Sequence, residues 1–127
     1  MKTIRTLIYD ADEKLPSCRV YNKEMMAEQF EKYLDTSSFV YHRSENDDIS
    51  YLNLMDVVGK CNSIVWEGNK AFAEIKLLDT PKGRMLQENM AQSGEDKFRF
   101  LPSGHGRTIN NKVIDYEMCC IDLIPNI

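Results

Sequence analysis

The sequence predicts an α+β domain in which an antiparallel-dominated sheet or small barrel carries two packed helices. Three observations predict it. Two capped stretches show the signals of helices; several apolar, β-branched runs are separated by turn residues; and 127 residues suffice to close one hydrophobic core but not two. Residues 1–127 are therefore expected to form a single domain.

Thr3-Ile-Arg-Thr-Leu-Ile-Tyr9 has the β-branched and aromatic content of a strand, and Asp10-Ala-Asp-Glu-Lys-Leu-Pro16 breaks it. Asn22 is placed to cap a helix running to about Leu34. Within it Met26, Phe30, Tyr33 and Leu34 fall at i, i+4, i+7 and i+8, one apolar stripe, so its methionines and Phe30 read as core and not as contacts to a cofactor. Ser38 to His42 is a short strand, followed by a polar loop from Arg43 to Asp48. Val57–Trp66 and Ala71–Leu78 form a hairpin, because Glu67-Gly-Asn-Lys70 supplies the Gly and Asn that tight turns favour. The second helix starts with Thr80 as cap and Pro81 at its first position, and Gly94 ends it. Phe98–Phe100 is a strand running into Pro102-Ser-Gly-His-Gly106, expected to be a glycine loop and the place to look for function. Asn110-Asn111 turns the chain into a last strand, Val113–Leu123.

Composition narrows the function classes. Hydrophobic residues make up 43% and charged residues 28%, the balance of an ordered globular chain. The formal charge is -4 and the Lys and Arg residues are scattered, so no basic stripe is available for nucleic acid. No apolar run approaches the roughly 20 residues of a membrane span, and no leader segment is expected. Cys18, Cys61, Cys119 and Cys120 have no C-x-x-C spacing, so no metal, no cofactor and reduced thiols are expected. As strand neighbours, Cys119 and Cys120 should face opposite ways, one of them into the core.

The run from Val58 to Leu86, and above all Leu78-Asp-Thr-Pro-Lys-Gly83 directly after a strand, resembles the prohead (capsid-maturation) serine proteases of T-even-type phages. Cys18-Arg-Val-Tyr-Asn-Lys-Glu24 resembles the segment before that family's first helix. Phe100 to Gly106, Asp115-Tyr-Glu and Cys120-Ile-Asp-Leu-Ile-Pro125 resemble its active-site loop and following strand. The resemblance covers most of the chain from about residue 18 and implies a prohead-protease-like fold.

It also implies a serine nucleophile before the glycine loop and an upstream histidine, acting by acyl transfer. His42 falls at the histidine position, with Arg43 where a proline is usual. The nucleophile position holds Leu101, which has neither a proton to lose nor a lone pair to attack with, and Ser103 stands at the family's usual arginine position.

Three readings follow. In the first, the chain is a non-catalytic phage protein that binds a protein partner in capsid or scaffold assembly, in the host cytoplasm or at the prohead or virion, with self-association implied by the family. In the second, it is a counter-defence or host-interaction protein: backbone amides at Gly104 and Gly106, with Arg99, His105, Arg107 and Lys112 nearby, would bind a host protein or a small anionic ligand. In the third, it is an active serine endopeptidase pairing Ser103 with His42 and one of Asp47, Asp48 or Asp56. Set against these, Ser103 reads as a turn serine, His42 as a polar residue at a strand end, and His105 as too close along the chain to be assumed a base for Ser103.

Overall fold

The computed structural model describes residues 2–13, 19–43 and 54–125. The elements follow in the order β1 (Thr3–Asp10), α1 (Lys23–Thr36), β2 (Phe39–Tyr41), β3 (Val57–Glu67), β4 (Lys70–Leu77), α2 (Pro81–Ser93), β5 (Phe98–Ile109) and β6 (Lys112–Pro125). The six strands make one sheet in the order β1-β4-β3-β2-β6-β5. All its pairings are antiparallel except β2 with β6, which is parallel and only two residue pairs long, Val40 with Ile121 and Tyr41 with Asp122. The sheet curls into a half-barrel. Its edge strands β1 and β5 approach one another, with Lys2 paired to Glu95 (2.5 Å) and Glu13 to Arg99 (3.0 Å) across the gap.

Both helices begin where their caps were expected. The Asn22 side chain accepts hydrogen bonds from the Glu24 and Met25 amides, and the Thr80 hydroxyl accepts one from Gly83 with Pro81 behind it. Helix α1 runs two residues past Leu34 and turns out at Ser38, whose φ is 53°. It lays Met26, Phe30 and Tyr33 on the sheet, and α2 adds Leu86 and Met90. These meet Val40, Val58, Ile75, Leu77, Phe100, Ile121 and Leu123 in the core. Two buried polar groups tie α1 down: Tyr33 donates to the Phe39 carbonyl (2.6 Å), and the Gln29 side-chain oxygen accepts from the Met118 amide (3.1 Å). Cys120 is buried and Cys119 half-buried, as neighbours on a strand require.

The last hairpin departs from expectation. Phe98–Phe100 does not stop at a glycine loop: β5 continues to Ile109, absorbing Pro102–Gly106 into a strand paired with β6. The register slips between Ser103 and Gly104 and again between His105 and Arg107, so the two glycines sit at bulges. Neither has a positive φ. Gly104 is needed for close approach, because a Cβ there would lie 2.0 Å from the Glu117 carbonyl oxygen. At Gly106 a Cβ would meet the Val113 side chain at 3.2 Å, which a small shift relieves. The turn at Asn110 and Asn111 is as expected, both residues having positive φ. The expected loop from Arg43 to Asp48, the end of the break at Lys14–Pro16, and Cys18 fall mostly or wholly outside the described residues.

This difference between the glycines is measurable. Gly104→Ala should lower stability in urea unfolding by about 1–3 kcal/mol, the usual cost of forcing atoms into a filled site, while Gly106→Ala should cost clearly less. Equal effects would contradict the bulge geometry.

Candidate functional site

The chemistry gathers on β6, around one carboxylate. Along Cys120–Leu123 the side chains alternate: Ile121 and Leu123 enter the main core, and Cys120 and Asp122 turn to the other face; the register shift at Cys119 returns Met118 to the core. There Arg43, just past β2, grips Asp122 from two nitrogens, Nε to Oδ1 at 2.7 Å and Nη2 to Oδ2 at 2.5 Å. Both side chains are only 13% exposed, which places this pair among shielded ones and not among surface ion pairs. Ser103 of β5 donates its hydroxyl to Asp122 Oδ2 at 2.5 Å, and the Cys120 thiol lies 3.6 Å from Oδ1. Tyr41, Val57 and Cys120 form a small apolar cluster beside the carboxylate. Burial raises the Asp122 pKa, but the hydrogen bonds from Arg43 and Ser103 and the guanidinium charge outweigh it and hold the group below the ordinary Asp range. The Cys120 thiol is pushed up, by burial first and by the Asp122 charge second, which keeps it protonated and unreactive.

His42 lies elsewhere. Its main chain is fixed by a hydrogen bond to the Asp56 carbonyl (2.9 Å) and by Lys82, which donates to the His42 carbonyl (3.0 Å) and pairs with the Asp56 carboxylate (2.5 Å). The residue borders a shallow cleft of about 60 Å³ with Lys82, Met85, Asn89, Phe98 and Leu123. Burial, then the Lys82 charge, lower its pKa, and Asp56 acts in the opposite sense. Phe98 and Leu123 stand on the face of β5–β6 opposite to Ser103 and Asp122, and no hydrogen bond joins His42 to Ser103.

The remaining candidates scatter. Leu101, directly opposite Asp122 in register, is half-buried and borders a cavity of about 500 Å³ at the gap between β1 and β5. Arg99 pairs with Glu13 across that gap, and Arg107 pairs with Asp115 on the exposed hairpin. His105 is exposed beside Glu117, and Lys112 sits at a parallel bridge to Val20. Gly104 and Gly106 are strand residues, so the turn geometry that an anion-binding concavity needs is not formed there. Asp56 is the ion partner of Lys82; Asp47 and Asp48 lie outside the described residues. Among the described residues no cluster of His, Cys, Asp or Glu could hold a metal ion, and no helix is long and apolar enough to cross a membrane. Sequence reasoning did not single out Asp122. The signal was present as one charge inside the apolar strand Met118–Ile124, a pattern that demands a buried partner.

The curled six-stranded sheet with its two helices is an α+β fold of the prohead-protease type. It is similar to the solved structure of the bacteriophage T4 capsid assembly protease, gp21, with a TM-score of 0.71 over 95% of this chain and 80% of that one, at 13% sequence identity. At that identity the likeness carries the fold alone. No family model matches the chain, and no curated protein matches it.

Asp122→Asn should cost about 3–5 kcal/mol at neutral pH, because it removes the charged partner from a shielded, doubly bonded ion pair with Arg43. Since the folded-state pKa is depressed, this contribution is present above the unfolded carboxylate value of about 4 and disappears as pH falls through the folded value. Urea unfolding from pH 7 downward should therefore show wild type and variant converging only on the acid side of about pH 4.

Proposed function

We propose that this chain is a phage protein that uses a capsid-protease scaffold to bind a protein partner during capsid assembly and does not hydrolyse peptide bonds. One observation carries the reading: the Ser103 hydroxyl is spent on Asp122, a carboxylate kept charged by Arg43, while His42 stands on the other face of the sheet. A general base works best with a pKa near the operating pH, and Asp122 is displaced away from it. Leu101 at the position that the resemblance gives the nucleophile supports the same conclusion. The partner proposed is a capsid or scaffold protein of the same phage, met in the host cytoplasm or at the prohead.

A fluorophosphonate probe should leave the intact mass of the folded protein unchanged, and the protein should co-sediment with assembling capsid and scaffold proteins of its own genome. An adduct on Ser103 that is lost in Ser103→Ala would overturn the non-hydrolytic reading. Failure to co-sediment would overturn the choice of partner.

A further inference from the structure

The cavity of about 500 Å³ between the two edge strands is within the usual size of a ligand pocket and is used by none of the groups around Asp122. Its apolar wall is built by Ile8, Met26, Leu101, Pro102 and Tyr116. The rest of its lining is Tyr9 through Glu13, Arg19 through Tyr21, and Arg99. Ile8, Tyr9 and Asp10 of β1 line it in succession, Ile8 falling at the register shift between Leu7 and Tyr9, and the cavity lies on the side of β1 away from β4. Among the described residues no strand pairs with that edge: β1 bonds to β4, on its far side, and the Ala11 amide continues the same ladder to Asn69. β5 is the opposite terminal strand, bonded only to β6.

The charge at the rim is also specific. Asp10 and Asp12 both border the cavity, and the hydrogen bonds made to them come from uncharged groups, the Asp12 amide and the Asn69 side chain. Glu13, by contrast, is neutralised by Arg99. Among the described residues no ion pair is formed to Asp10 or Asp12, so two carboxylates stand beside an apolar recess that Arg19 also borders and beside a strand edge that no described strand covers.

We infer that this cleft receives an extended segment of a protein partner, which pairs its main chain with the β1 edge at Ile8–Asp10, sets one apolar side chain against Met26, Leu101 and Tyr116, and places a Lys or Arg beside Asp10 and Asp12. An extended segment suits the site because strand addition satisfies the unpaired backbone groups while a pocket beside the edge selects a side chain. The inference rests on the binding reading above and names the chemistry of the segment recognised.

The test is a positional-scanning library of immobilised, end-blocked hexapeptides presented to the whole protein. Selection should converge on Leu, Ile, Met or Phe at one position and Lys or Arg near it. The best peptide should protect the Asp10 amide, which the alternation of the ladder turns away from β4, from hydrogen exchange and should lose binding when its main-chain amides are N-methylated. Leu101→Lys should weaken that peptide at least tenfold. Asp12→Asn, an exposed change that leaves the fold intact, should weaken the cationic peptide about three- to tenfold and leave its norleucine analogue unchanged. Absence of any selected position, protection mapping away from β1, or affinity untouched by both substitutions overturns the inference. If the protein still co-sediments with capsid proteins in that case, the binding reading survives and the partner docks elsewhere.

Discussion

The fold depends on a short parallel seam. The strands β1-β4-β3-β2 form one antiparallel group and β6-β5 another, and they are joined by two residue pairs, Val40 with Ile121 and Tyr41 with Asp122. So little main-chain pairing between two halves of a sheet needs reinforcement from side chains. On the core face Val40 and Ile121, both fully buried, supply apolar contact. On the other face Arg43 reaches across from the end of β2 to Asp122 on β6, and Ser103 closes on the same carboxylate from β5, so one charge is bonded by side chains following or lying on all three consecutive strands. Coulomb attraction at this distance is several times stronger when shielded than in open water, which is why the 13% exposure of both partners matters more than the count of bonds.

The same seam explains the separation of the residues that the family resemblance would bring together. Tyr41 is in register with Asp122, and side chains repeat direction every two residues, so Arg43 follows Tyr41 to the Asp122 face and His42 turns to the face of Leu123. Ser103 is thus set by strand parity, and His42, the residue after β2, by its main-chain hydrogen bonds with Asp56 and Lys82. A two-residue slip in β5 would not bring them together, because it too preserves facing. Only an odd shift would, and that would send Phe100 out of the core.

Much of the fold was legible in the sequence because its elements are announced locally. Asn22, Thr80, Pro81 and Gly94 act through bonds within a turn of themselves, and the apolar stripe of α1 needs no knowledge of its partner. The β5–β6 hairpin was not legible past Phe100 because its glycines answer to a distant constraint. Gly104 is required by the Glu117 carbonyl on the facing strand, and a glycine that permits close approach looks in sequence like one that permits a turn. Asp122 escaped for a related reason. Its role depends on Arg43, 79 positions away in the chain, and on a parallel pairing that no periodicity specifies. His42 and Ser103 were each visible as candidates, but the face on which each stands is a property of register.

A fold shared with a capsid protease at 13% identity leaves the chemistry to the side chains, and here they favour holding over proton transfer. For Asp122 to draw the proton from Ser103, it would have to be a stronger base than an ordinary carboxylate. The hydrogen bonds and charge of Arg43 make it a weaker one. Raising its basicity would require removing that arginine, and the carboxylate would then face burial with the Ser103 hydroxyl and the Cys120 thiol as its partners on the described strands. The arrangement that keeps Asp122 ionised inside the sheet is therefore the arrangement that disarms it as a base. The Ser103 hydroxyl, bound to that carboxylate, belongs to the fastening of β5 onto β6 and β2.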